Sequence, residues 1–224
     1  MKIWLDTIDI DAIRKAQAMG VLAGVTTNPS ILATSNRDVE AVLGEILDAQ
    51  SGPLAVQVAA RGLDGMLAQA RRIAGISPRM VVKIPAAGDG FRAMSILERE
   101  GIATLATTIF ETRQLALAAL AGASYAAPYV NRIELSTGNA FEVLEQSQRL
   151  LDTYGYKTAI LAAAVKTVDQ FLRCAQTGVA AVTLPVEVFQ QLHASSEDIE
   201  QSLRKFDAAW QSNGLTRDAA LFKA

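Results

Sequence analysis

The strongest constraint on this chain is a rhythm of eight short β-branched or apolar runs. They fall at Ile3–Asp6, Leu22–Thr26, Leu54–Val58, Met80–Ile84, Ala103–Thr107, Tyr125–Tyr129, Thr158–Ala163 and Ala181–Leu184, with starts 19 to 33 residues apart. Gaps of that length hold a crossover helix and are too long for hairpins, so the strands should pair in parallel. Between the runs, apolar residues take helical spacing, as at Ala12, Ala16 and Met19, at Leu63, Met66, Leu67 and Ala70, and at Leu115, Leu117 and Leu120. No Gly-rich dinucleotide turn follows the first run, so the α/β pattern fits a closed (β/α)8 TIM barrel better than an open doubly wound sheet. At 224 residues the barrel has little room for insertions, and residues 1–224 are expected to form one domain. Beyond the eighth run, the segment 197–213 places Ile199, Leu203, Phe206 and Trp210 on one helical stripe. This extra C-terminal helix either caps its own barrel or docks on a neighbouring subunit, and a homo-oligomer is the expectation.

Composition narrows the chemistry. Twenty-one Lys and Arg against 23 Asp and Glu leave a net charge of −2 and no basic block, which argues against a nucleic-acid partner. No apolar run approaches the ~20 residues that span a bilayer, so no membrane partner is expected. The single cysteine, Cys174, cannot form an internal disulfide, and the start Met-Lys-Ile-Trp-Leu-Asp lacks the pattern of a secretory leader, so a cytoplasmic location is expected. With His193 the only histidine, and no carboxylate cluster, a metal centre is not expected. The chemistry should need neither metal nor cofactor.

Side chains in barrel strands alternate between interior and helix layer, and barrel active sites form at the strands' C-terminal ends. On the fourth strand this parity turns Met80, Val82 and Ile84 outward and Val81 and Lys83 inward. By the same counting Asp6, Thr26, Gln57, Thr107 and Tyr129 end the first, second, third, fifth and sixth strands. Each alone has a structural explanation: Asp6 could neutralise Lys83, Tyr129 could be core, and the threonines are ordinary strand residues. Their convergence on one barrel mouth is what points to a site.

A lysine in apolar surroundings loses hydration, which lowers its pKa and leaves a neutral amine able to form an imine with a carbonyl. A protonated imine withdraws electrons from the neighbouring carbon, which permits carbon–carbon bond cleavage or formation if an acid/base manages the protons. Asp6 and Tyr129 are the candidates, helped by a water held on Gln57 and Thr107. After the sixth strand, Arg132 is suited to grip a phosphate. In the loop Thr26-Thr27-Asn28-Pro29-Ser30, Ser30 could cap the following helix, whereas Asn28 facing the mouth is not explained by capping.

These residues carry a resemblance. The runs Leu5-Asp6-Thr7, Ala23-Gly24-Val25-Thr26-Thr27-Asn28-Pro29-Ser30, Val81-Val82-Lys83-Ile84-Pro85 and Ala127-Pro128-Tyr129-Val130-Asn131-Arg132 resemble the small transaldolase family, in particular its fructose-6-phosphate aldolase branch. The likeness runs from residue 3 to about Trp210. It implies a (β/α)8 barrel with Lys83 as the Schiff-base lysine. It implies a homo-oligomer, typically a decamer of two pentamers, with the C-terminal helix reaching a neighbour. Asp6 would orient the donor and assist proton traffic, Thr26 and Asn28 would bind donor hydroxyls, and Arg132 would bind an acceptor phosphate. Gln57, Thr107 and Tyr129 would hold the catalytic water, with Tyr129 as acid/base.

Transaldolases of the family carry a glutamate at the Gln57 position and a phenylalanine at the Tyr129 position, so this chain has the aldolase choice at both. It departs at the seventh strand, where Ala164 stands at the position of a phosphate-binding serine, and Lys166 could compensate. The leading expectation is therefore a class I aldolase joining a dihydroxyacetone or hydroxyacetone donor to an aldehyde such as glyceraldehyde 3-phosphate. A transaldolase moving the three-carbon unit between sugar phosphates, and a barrel that binds sugar without catalysis, are the alternatives. The expected partners are small sugar, hydroxyketone and aldehyde substrates.

Overall fold

The computed structural model describes residues 1–214; residues 215–224, which the single-domain expectation includes, lie outside the described residues. Eight strands close into a barrel in sequence order, every neighbouring pair parallel. They are β1 Lys2–Asp6, β2 Leu22–Thr26, β3 Leu54–Gln57, β4 Met80–Pro85, β5 Thr104–Ile109, β6 Tyr125–Pro128, β7 Ala159–Ala162 and β8 Ala181–Leu184. The expected TIM barrel is the fold found. Single helices α1 (Ile10–Ala18), α4 (Leu63–Ile76), α5 (Asp89–Arg99), α6 (Thr112–Leu120) and α9 (Val168–Gln176) cross over five gaps. The two longest gaps hold two helices each, α2 (Pro29–Leu32) with α3 (Val39–Ala49), and α7 (Val130–Thr137) with α8 (Ala140–Tyr154).

The alternation expected from sequence organises two apolar layers. Trp4, Ala55, Val81, Leu105, Ala127, Leu161 and Ala181 pack together inside the barrel. Leu5, Val25, Leu54, Val56 and Met80 face outward onto Ile13 and Ala16 of α1 and Val42, Leu43 and Ile46 of α3. The Trp4 ring fits because β2 carries Gly24 opposite it: a Cβ there would lie 2.8 Å from the ring. Helix faces depart from the sequence reading. On α6 the buried residues are Leu115, Ala118 and Ala119, while Leu117 and Leu120 are exposed. On α1 Ile13 and Ala16 are buried and Met19 is exposed. In each helix one large side chain is buried together with alanines, Ile13 with Ala16 and Leu115 with Ala118 and Ala119, while Met19, Leu117 and Leu120 are left outside.

Clustering of contacts divides the chain into a unit of residues 1–189 and a second beginning at Gln190. The first contains the barrel and the start of α10 (Val186–Leu192), whose Phe189 joins the outer layer. The second contains α11, Glu197–Ser212. Ser196 caps α11 by accepting from the Ile199 N–H at 3.3 Å, and Glu197, Asp198 and Glu200 suit the positive end of its dipole. Its Ile199, Leu203 and Phe206 are exposed. Among the described residues no helix is long and apolar enough to cross a membrane.

Candidate active site

A cavity of about 520 Å³ opens at the C-terminal ends of the strands. Asp6, Asn28, Ser30, Gln57, Lys83, Tyr129, Arg132, Ala164 and Lys166 all line it. Thr26 and Thr107, also expected there, are fully buried beneath the lining and reach the cavity through their neighbours.

Lys83 is at the inward position near the end of β4, in register with Gln57 of β3. Its side chain is 6% exposed, and Nζ donates to the Thr27 carbonyl at 2.6 Å. Burial disfavours the ammonium and holds the pKa below the ordinary lysine value, with the negative charge of Asp6 partly opposing the shift. The lysine is thus pre-positioned by a backbone acceptor that leaves its lone pair usable when neutral. Cys174, the other candidate nucleophile, is buried, and its thiol is pushed up to about 12 by desolvation.

Asp6 is set by a hydroxyl relay. The Thr26 hydroxyl donates to Asp6 Oδ1 at 2.6 Å and lies 2.8 Å from the Thr183 hydroxyl. Thr26 has one proton and gives it to the carboxylate, so Thr183 must be the donor to Thr26. Thr183 is the site residue missed in the sequence. The parity that puts Ala181 inside β8 also puts Thr183 inside at the mouth, and its hydroxyl is the signal. The Thr26 hydroxyl thus braces the Asp6 carboxylate from below the cavity lining.

On the opposite wall the Thr107 and Tyr129 hydroxyls are 2.9 Å apart. The Tyr129 ring is held edge-on by Phe110, with centroids 5.7 Å apart, and the Arg132 guanidinium carbon lies 4.8 Å from its centroid. Gln57 lines the same cavity, and its carboxamide makes no hydrogen bond among the described residues. The expected trio thus shares one cavity, with Thr107 and Tyr129 bonded to each other and Gln57 open to solvent or substrate.

Asn28, not Ser30, is the N-cap of α2: its Oδ1 accepts from the Ile31 N–H at 3.0 Å. The capping bond fixes the Asn28 side chain and leaves its amide N–H groups for the cavity. Arg132 lies in the first turn of α7, where the helix dipole favours anions. Neither Arg132 nor Lys166 has an ion-pair partner among the described residues. Ala164 adopts a left-handed conformation, φ +55°, and its carbonyl accepts from the Asn131 N–H at 3.2 Å. Thr108 on β5 is left-handed too, at φ +58°, where the ladder to β6 is irregular. Both line the cavity. Among the described residues no three His, Cys, Asp or Glu side chains cluster as metal ligands.

Comparison with known proteins shows what the chain is similar to. A protein of Agathobacter rectalis described as "Probable transaldolase" is 38% identical over 214 residues, covering 95% of this chain and 98% of its own. Two solved structures share the fold at low identity. One is an inosine 5'-monophosphate dehydrogenase of Legionella pneumophila, with a TM-score of 0.58 and 13% identity over 84% of this chain, which spans 58% of that longer one. The other, described as a "putative fructose-1,6-biphosphate aldolase" of Coccidioides immitis, gives a TM-score of 0.55 and 18% identity over 82% of this chain and 72% of its own. The family described as transaldolase/fructose-6-phosphate aldolase matches residues 3–223, and the chain belongs to that family.

Proposed function

We propose that the protein is a class I aldolase of the fructose-6-phosphate aldolase type, reversibly adding a dihydroxyacetone or hydroxyacetone donor to an aldehyde. The observation that carries this reading is the buried, pKa-lowered Lys83 at the floor of a cavity walled by Asp6 on one side and Tyr129 on the other.

The neutral amine attacks the donor ketone, and the carbinolamine loses water to give a protonated imine. A base takes a proton from the adjacent carbon, and the electron pair moves to the enamine. The enamine carbon attacks the aldehyde, whose oxygen takes a proton from the Tyr129 hydroxyl, and the proton removed from the donor carbon returns to Tyr129 to restore it. Water then hydrolyses the imine, releasing the ketose and restoring Lys83. The Asp6 carboxylate, braced by Thr26, sits where it orients the donor hydroxyl and assists these proton transfers. Gln57 and the Thr107–Tyr129 pair supply donors and acceptors for the water consumed and released. The reaction closes its own electron balance and calls for no cofactor.

Arg132 and Lys166 favour an anionic group on the acceptor, while Ala164 offers no hydroxyl to it. Losing one hydrogen bond to a charged group costs about 1.5–3 kcal/mol, so unphosphorylated aldehydes compete better here than where a serine stands. The name of the Agathobacter relative favours a second reading, transfer of the three-carbon unit between sugar phosphates. Fructose 6-phosphate separates them. An aldolase liberates free dihydroxyacetone from it with no added acceptor, whereas a transferase needs one. Borohydride with dihydroxyacetone should modify wild type at Lys83 and leave Lys83→Ala unmodified; an unmodified wild type under saturating donor would overturn the imine chemistry itself. We also propose a homo-oligomer, supported by the exposed apolar residues Ile199, Leu203 and Phe206 of α11, and a cytoplasmic location, in keeping with the single, buried Cys174.

A further inference from the structure

Thr108 has no role in the chemistry above, yet it is held at a cost. A β-branched residue at φ +58° crowds its Cβ against its own backbone, a conformation that persists only where the surroundings over-determine it. Gln114, in the first turn of α6, supplies that determination. Its Nε2 donates to the Thr108 carbonyl at 3.1 Å and to the Ala86 carbonyl at 3.0 Å. Its Oε1 accepts from the Phe110 N–H at 2.9 Å and the Glu111 N–H at 3.2 Å. The carboxamide is fully used, tying the end of β5 and the loop after it to Ala86 just beyond β4.

The fixed conformation gives the Thr108 oxygen a defined polarity. Its hydroxyl donates to the Thr107 carbonyl at 2.6 Å, and that carbonyl also accepts the Ala86 N–H at 2.8 Å. The one Thr108 proton is thereby committed, and the oxygen makes no other hydrogen bond among the described residues. Thr108 lines the cavity, and with its proton committed, any hydrogen bond its side-chain oxygen forms to a bound molecule is one it accepts. It lies on β5, beside the strand that leads into Tyr129 and Arg132 and away from Asp6 and Thr26.

We infer that Thr108 is a specificity-determining residue on the acceptor side, its oxygen accepting a hydrogen bond from the hydroxyl next to the aldehyde carbon. The preferred acceptors are then α-hydroxyaldehydes, because a donor hydroxyl satisfies the lone pairs and a methylene does not. This rests on the aldolase reading and deepens it.

The test compares kcat/KM for glycolaldehyde and acetaldehyde, which differ by that hydroxyl, with dihydroxyacetone as donor. Wild type and Thr108→Ser should share the preference for glycolaldehyde, while Thr108→Ala and Thr108→Gly should lose roughly three- to tenfold of it, the effect of one neutral hydrogen bond. Glycine accepts positive φ without strain, so that variant keeps the test intact if alanine weakens the fold. An unchanged ratio in Thr108→Ala and Thr108→Gly, or an equal loss in Thr108→Ser, overturns the inference. Borohydride trapping at Lys83 on the same wild-type preparation separates this outcome from failure of the aldolase reading: trapping with an unchanged ratio removes Thr108's role alone, and no trapping removes both.

Discussion

At the scale of the residue, Lys83 couples function to stability. A lysine whose folded pKa lies below its ordinary value of 10.5 binds protons less readily folded than unfolded. Between those two values the unfolded state carries more protons, so stability rises with pH through that window and is reduced below it. Lys83→Met removes the titrating group while keeping most of the volume. The melting temperature of wild type, measured against that variant from about pH 6 to about pH 10, should therefore shift in favour of wild type as pH rises. A difference independent of pH would contradict the lowered pKa. Much of this residue scale was legible in the sequence, because strand parity follows from the backbone alone. Lys83, Asp6, Gln57 and Tyr129 all line the cavity to which parity assigned them. Parity gives a side, not a depth. It could not tell that Thr26 and Thr107 lie under the lining, nor that the Asn28 carboxamide oxygen is used in a cap.

At the scale of the element, three loops are pinned by glutamines from the helices that follow them. Gln69 of α4 accepts from the Ala59 and Ala60 N–H groups at 2.8 and 2.9 Å. Gln114 of α6 makes the four bonds already described. Gln170 of α9 accepts from the Lys166 N–H at 2.8 Å and donates to Asn131 Oδ1 at 3.0 Å. The loop after β7 carries the cavity residues Ala163, Ala164 and Lys166, and the loops after β3 and β5 follow closely on Gln57 and Thr108; in each a long amide side chain satisfies backbone groups without a secondary-structure ladder. Gln114→Ala should cost about 1–2 kcal/mol, roughly 2–8 °C in melting temperature for a domain of this size, as read by thermal denaturation. It should also weaken the preference for α-hydroxyaldehydes, because Thr108 is then free to leave its left-handed conformation. A variant that melts like wild type would show the clamp to be replaceable by water. None of this was legible in sequence. Strand and helix existence follows from local periodicity, but the irregular end of β5 and the glutamine clamps depend on which loop each helix meets, which is tertiary information.

At the scale of the whole molecule, half of the residues are apolar, more than the barrel core alone has to bury. The barrel unit buries most of its own, but Leu117 and Leu120 of α6 remain exposed at 47% and 66%. The helix α11 shows the mismatch more sharply. Its Ser196 cap and acidic first turn stabilise it locally, and local stability does not require an apolar stripe. Yet Ile199 and Leu203 are each 50% exposed and Phe206 is 68% exposed, at the spacing of a helix face made for burial. Burying such side chains contributes about 1.5–3 kcal/mol each, and a symmetric assembly repeats that gain at every equivalent contact. We therefore expect the wild type to show a multiple of the 23.9 kDa chain mass by light scattering at micromolar concentration. The double substitution Leu203→Asp and Phe206→Asp should shift it toward the single-chain mass with the circular-dichroism spectrum kept. Because the contact is apolar, raised salt should not dissociate the wild type, as it would an assembly held by ion pairs. A double variant with unchanged mass would remove α11 from the interface and turn attention to the exposed leucines of α6.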